Sequence, residues 1–299
     1  MNPRPLSYVG RVFRCGFLYL HPQARHVAGS KDPACVRIVL AGAAIAMCLA
    51  GAVLAQGRLF DGMRFEPRVT KVTYDGRFVF ARLRYTPKPD GWYYGGLPAW
   101  AHGYLSLKGG GRAEFGLVKI LNEISYLNAH LDETAVVALD DPELGKYPVA
   151  YMAEAGWWTL TDKEAAAFRA YFQKGGFVIF DDFRDPPVGG GGWANFEANM
   201  RRVLPDGRFI DLDPSSPIFH SFFEINSFDL IPQSYDEGRP VLRGLFENND
   251  PTKRLMAIAN FNTDVSDFWE FLGTGFKPID ESNEAYKLGV NYIFYGMTH

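Results

Sequence analysis

Two apolar runs in this sequence end in paired carboxylates. Asp181-Asp182 follows Phe177-Val178-Ile179-Phe180, and Asp140-Asp141 follows Thr134 to Leu139. Two carboxylates held close raise the pKa of one member, which suits general acid work. Paired oxygens also suit a hard cation or sugar hydroxyls. Asp181 and Asp182 are therefore catalytic candidates, and Asp140 with Asp182 is a candidate site for a divalent cation. Neighbours along a strand point to opposite faces, so both aspartates of a pair reach one ligand only where the strand has ended. The plainer readings are that one aspartate caps the next helix or pairs with Arg184, and that Asp140-Asp141-Pro142 is ordinary turn chemistry.

Two further groups invite chemistry. Trp92, Tyr93, Tyr94, Trp100, His102 and Tyr104 crowd one loop. Aromatic faces with polar tips suit a sugar or another flat amphipathic ligand, or they pack as a lid over a sheet edge. His220 with Glu224 is a third catalytic candidate, but the spacing matches no metal motif, and a core or supporting histidine is the plainer reading. His130 falls at a helix C-terminus, where a cation is favoured anyway. The sequence contains no P-loop, no G-x-S-x-G elbow and no H-E-x-x-H. Gly189–Gly192 precedes a helix but lacks a lysine, so it is a weak phosphate signal.

The elements that must position these residues follow from periodicity. Phe78, Phe80 and Arg82 alternate with Val79, Ala81 and Leu83, which predicts a first strand. Arg112 to His130 carries a helical stripe of Leu117, Ile120, Leu121, Ile124 and Leu127. Thr134 to Leu139 and Pro148 to Met152 read as strands. Thr161 with Glu164 forms a capping box, Ala165, Phe168 and Phe172 recur at helical spacing, and Gly175-Gly176 stops the helix. Phe177 to Phe183 is then a buried strand. Asn195 to Leu204 is a helix, Ile218 to Ile225 reads as strand-like, Leu255 to Phe261 as a buried strand, and Asn283 to Met297 as a final helix. Helix, glycine stop and strand in succession predict an α/β fold, and ligands in such sheets bind outside the carboxyl ends of the strands.

Ile38 to Leu54 is apolar and rich in small residues, with Arg37 before it and Val53-Leu54-Ala55 before Gln56. That pattern predicts a signal peptide over residues 36–55, cleaved after Ala55, in a periplasmic or secreted protein. The alternative is an uncleaved anchor over the same residues, the one route to a membrane. Residues 1–35 read as a non-native or disordered extension, residues 56–76 as an N-terminal arm, and residues 77–299 as the α/β domain. Cys15, Cys35 and Cys48 all lie upstream of the cut, so the mature chain has no thiol nucleophile, disulfide or thiolate metal ligand. Six of the 31 basic and one of the 34 acidic residues lie there too, which leaves a balance of −8 and argues against nucleic acid.

From Leu160 onward the pattern resembles a known family. Leu160-Thr161 with Glu164, Phe168 and Tyr171, the run Gly175 to Asp182, Arg201-Arg202-Val203-Leu204-Pro205 and Ser216-Pro217-Ile218-Phe219-His220 together resemble the bacterial domain-of-unknown-function family 4159. The resemblance covers about residues 80–297. It implies a class I glutamine amidotransferase-like fold, a flavodoxin-like three-layer sandwich with a mainly parallel sheet. It also implies envelope partners from a MoxR-type ATPase and von Willebrand factor A-type system. Amidotransferases place a nucleophilic cysteine after the equivalent strand, where this chain has Asp181 and Asp182, so thiolate amidotransfer is excluded. The expectation is an exported, non-catalytic ligand- or protein-binding domain. The alternative is a hydrolase of carbohydrate-like substrates that uses Asp181 or Asp182.

Overall fold

The structure is a computed structural model. It describes residues 74–93, 96–104, 113–131, 134–186, 191–235, 238–271 and 273–299, with a few isolated positions between 64 and 72. The chain divides into two units, Met1–Gln56 and Gly57–His299, and all described residues belong to the second. The predicted signal segment, the extension before it, Tyr94 and Leu105–Gly111 lie outside the described residues, and of Tyr93 only the backbone is described.

Seven strands make one sheet: β1 (Phe80–Arg84), β2 (Thr134–Ala138), β3 (Val149–Ala153), β4 (Phe177–Phe183), β5 (Phe209–Asp211), β6 (Val241–Phe246) and β7 (Leu255–Phe261). Their order is β2-β1-β3-β4-β7-β6-β5. The first five of these run parallel, and β6 and β5 add an antiparallel edge. The helices are α1 (Ala113–Ile124), α2 (Asp162–Gln173), α3 (Gly192–Val203), α4 (Val265–Glu270) and α5 (Ile279–Thr298). The molecule is therefore mixed α/β, with a mostly parallel sheet between two helical layers.

The alternation in β1 builds both layers. Val79, Ala81 and Leu83 join Phe168 and Phe172 of α2 and Phe196 and Met200 of α3 in one core. Phe78 and Phe80 join Leu117 of α1, Trp269 of α4 and Leu288 and Tyr292 of α5 in the other. A strand covered on both faces has no polar side, and all seven residues of β4 are buried. The start of β4 is set locally. Thr161 and Glu164 close the capping box of α2, Gly175 ends the helix at φ +103°, and Gly176 lies flat against the Tyr171 ring, where a Cβ would clash.

Two predicted elements differ. The α1 stripe leaves the helix after Ile124, which is exposed. Ser125 Oγ bonds the Leu121 carbonyl at 2.6 Å, and the Asn122 side chain bonds both backbone groups of Ala129, so polar side chains compete with further helical turns. Ile218 to Ile225 is not a strand. Pro217 starts a 3-10 turn ending at His220, and Asn291 of α5 accepts from the Phe222 and Phe223 backbone N–H groups at 3.1 and 2.7 Å. A helix side chain there supplies what a neighbouring strand would have supplied.

Candidate functional site

Asp181 and Asp182 close β4 at the carboxyl edge of the sheet, and the structure gives them different work. Asp181 is fully buried and turns toward α4 and α5. It accepts from Tyr151 Oη at 3.1 Å, Asn260 Nδ2 at 2.9 Å, Val265 N at 3.3 Å and Ser266 N at 3.0 Å. Two of these donors are the first backbone N–H groups of α4, which has no intrahelical acceptor for them. Burial pushes the Asp181 carboxyl up to about 6, against the pull of Asn260, while Asp182 adds to the rise. At neutral pH Asp181 is a satisfied acceptor that seats α4.

Asp182 breaks the strand. Its φ is +58°, and the register with β7 shifts opposite it, between Ala259 and Phe261. A left-handed conformation at a residue other than glycine is uncommon and persists only where its surroundings enforce it. The neighbouring strand ends repeat it: Glu154 after β3 has φ +51° and Asn262 after β7 has φ +61°. The break aims the buried Asp182 carboxylate at His102, whose Nδ1–H donates to Oδ2, and at Tyr235, whose hydroxyl donates to Oδ1 at 2.5 Å.

Each partner is held by the fold. His102 ends a 3-10 turn, Ala99–Ala101, in the long loop after β1. Arg82, buried in β1, donates from Nη1 to the Trp100 carbonyl at 2.9 Å and the His102 carbonyl at 2.7 Å, and its Nε pairs with Glu114 at the start of α1. Arg82 thus positions the histidine loop. Tyr235 sits in a segment tied to the sheet edge through Thr263 Oγ1 on the Pro232 carbonyl and Ser234 Oγ on the Asp264 carbonyl. The Arg184 guanidinium lies 4.3 Å from the centre of the Tyr235 ring. Tyr85 Oη donates to the carbonyls of Ala153 and Glu154 at 3.0 and 2.7 Å, which fixes the turn that carries Glu154. One ligand atom each from His102, Glu154 and Asp182 lies within 4.8 Å of the others.

The electrostatics are dominated by buried negative charge. Burial, then repulsion from Asp182 and Asp264, pushes the Glu154 carboxyl well above the ordinary range. Burial and Asp182 do the same to Asp264, which caps α4. Burial opposes a charge on His102, but the Asp182 carboxylate outweighs it and raises the imidazole to about 10. The His102 side chain is 38% exposed, so solvent softens the burial penalty and pairing with Asp182 decides the direction. At neutral pH the pair is an imidazolium against a carboxylate.

The other predicted residues fall elsewhere. Asp140 accepts from Lys163 at 2.7 Å, and Asp141 caps a 3-10 turn through Glu143 N at 2.9 Å. Their strand is three steps from β4, about 14 Å at ordinary strand spacing, so the structure corrects the shared Asp140–Asp182 cation site. Trp100 and Tyr104 are core residues and do not form an open aromatic platform. Trp92 pairs across a short ladder with Pro98, and the Arg64 guanidinium lies 4.8 Å from the centre of its ring. His220 is half-buried, with Nδ1 on Glu224 at 2.5 Å and Nε2 on the Pro214 carbonyl at 2.7 Å, so it is neither a core histidine nor a partner of Asp181 or Asp182. A cavity of about 620 Å³, lined by Arg169, Phe172, Lys174, Asn249 and Arg254, opens where β4 and β7 begin, at the opposite edge from this cluster.

Sequence reasoning missed Glu154, Tyr235 and Arg82 as site-building residues. Glu154 carried a usable signal, a carboxylate directly after a short buried strand. Arg82 did too, as a charge on an apolar face. Tyr235 had none, because its loop reaches the edge only through tertiary contacts.

The fold and site thus define an α/β domain with a polar centre at the carboxyl edge of a parallel sheet. The family model "Domain of unknown function (DUF4159)" matches residues 103–297, and the chain belongs to that family. No curated protein matches it. Among the described residues, no helix is long and apolar enough to cross a membrane.

Proposed function

We propose that this chain is an exported, non-catalytic binding domain whose ligand or partner meets the centre formed by His102, Glu154, Asp182 and Tyr235. The observation that carries this reading is the state of Asp182. By the resemblance to amidotransferase-like folds it takes the position of their nucleophile, and His102 and Tyr235 each hold one of its oxygens. A carboxylate engaged at both oxygens is a poor nucleophile, and an imidazole protonated at neutral pH is a poor general base. The order β2-β1-β3-β4-β7 corresponds to the 2-1-3-4-5 order of flavodoxin-like sheets and supports the amidotransferase-like assignment. In that order ligands bind at the β1/β3 crevice, and the loop after β1 and the turn after β3 bring His102 and Glu154 there.

Of the aromatic loop, Trp100 and Tyr104 are buried, which weighs against the carbohydrate hydrolase reading. Envelope partners of the MoxR and von Willebrand factor A type remain the partner class that fits export. The test is hydrolysis of a panel of 4-nitrophenyl glycosides by the wild-type chain and by Asp182→Asn. The expected result is no difference between them. A turnover that Asp182→Asn abolishes overturns the binding reading in favour of the hydrolase.

A further inference from the structure

We propose that His102, Glu154 and Asp182 are the protein ligands of one divalent first-row metal ion of the Zn²⁺ or Mn²⁺ class. This rests on the binding reading and names what the centre binds. The three residues come from the ends of separate elements and converge to within 4.8 Å. Ligand atoms about 2.0–2.2 Å from a common ion lie roughly 3–4 Å apart, so small side-chain rotations complete the set.

A second observation points to a cation. Glu154 is 7% exposed, and among the described residues its carboxylate accepts no hydrogen bond and pairs with no lysine or arginine. A carboxylate in a residue this buried is costly without a close cation, and this one faces a second carboxylate. The nearby cations are otherwise engaged. Arg82 is taken by Glu114 and two carbonyls, and Arg184 is exposed over the Tyr235 ring. His102 bonds Asp182, and Glu154 feels the Arg184 charge only from beyond ion-pair distance. A cation between the three groups satisfies Glu154 and relieves its repulsion with Asp182.

The donor set selects the ion. One imidazole with two carboxylates suits Zn²⁺, Mn²⁺ or Fe²⁺, whereas Ca²⁺ takes six to eight oxygens. Tyr235 holds Asp182 Oδ1, which leaves Oδ2 on the His102 side and gives the site an orienting partner. The exposed flank of His102 provides an entry path. In the ion-free chain a proton lies between His102 Nδ1 and Asp182 Oδ2. The ion takes its place and the proton leaves to solvent.

The test uses the full chain, stripped with EDTA and titrated calorimetrically with Zn²⁺ and with Mn²⁺, with elemental analysis of the dialysed protein. One ion per chain is expected. Glu154→Gln and His102→Ala should each weaken binding by more than about 100-fold, beyond the 10–100-fold typical of an outer hydrogen bond, and His220→Ala should leave it unchanged. No stoichiometric uptake, or a folded Glu154→Gln chain that binds like wild type, overturns the proposal. Should Glu154→Gln not fold, Co²⁺ absorption by the wild-type chain decides. Visible bands lost in His102→Ala support the site, and their absence in the wild type overturns it. Failed uptake without Asp182-dependent hydrolysis removes the metal centre and leaves the binding reading. Uptake with Asp182-dependent hydrolysis keeps the centre and overturns the non-catalytic reading.

Discussion

Asp140-Asp141 and Asp181-Asp182 have the same local sequence logic, an apolar strand ending in two carboxylates, and opposite fates. The first pair ends β2, the edge strand, and its members meet a lysine and a turn N–H near solvent. The second pair ends β4, which has parallel neighbours on both sides and helices on both faces. There the pair is cut off from bulk water, so Asp181 collects four donors and Asp182 is bent toward His102 and Tyr235. Position in the sheet order, not the dipeptide, decides whether a carboxylate pair is solvated or becomes a buried site.

The largest test of this contrast is Asp181→Ala, which leaves Tyr151, Asn260 and two α4 N–H groups without their acceptor. The expected loss is about 3–5 kcal/mol in urea unfolding. A loss near that of an ordinary surface change would mean that α4 does not depend on Asp181.

Tyr235→Phe removes one hydrogen bond to the buried Asp182 carboxylate and should cost about 1.5–3 kcal/mol by the same measurement. A neutral outcome would show that the loop is held by Ser234 and Thr263 contacts alone.

The His102–Asp182 pair predicts a pH slope in the EDTA-treated chain. The folded pKa of about 10 lies above the ordinary histidine value of 6.5, so the stabilisation is complete below about pH 6.5 and fades as pH rises toward 10. The melting temperature should fall across that window, and His102→Gln should flatten the contribution. An unchanged slope in His102→Gln would place the titration elsewhere.

Asp141→Ala should cost only about 0.5–1 kcal/mol, the value of a lost cap. Asp140→Asn should be indistinguishable from wild type, since Lys163, with which it pairs, is on the surface. A loss at Asp140 comparable to that at Asp181 would erase the contrast.

Much of the scaffold was legible before the structure. The capping box at Thr161, the stop at Gly175-Gly176 and the two-faced burial of β1 and β4 all follow from local rules, because each depends on residues within a few positions of one another. The end of α1 and the turn at Pro217 were not, because Asn122, Ser125 and Asn291 divert backbone hydrogen bonds that periodicity does not register. Of the site, Asp182 and His102 were named among many candidates. Nothing in their spacing, 80 residues apart, says that they touch.

Sequence by itself determined the alternation of strands and helices, the carboxylates at strand ends, and the absence of any cysteine after Cys48. These are properties of composition and short-range pattern. Only the tertiary structure decided which carboxylates converge. Strand order is set by the packing of two helical layers on one sheet, and that order brings Glu154, Asp182 and the loop of His102 to one edge while it leaves Asp140 about 14 Å away. The left-handed turns at Glu154 and Asp182 are likewise tertiary, since Glu has no preference for that region, Asp merely tolerates it, and the surrounding contacts hold both.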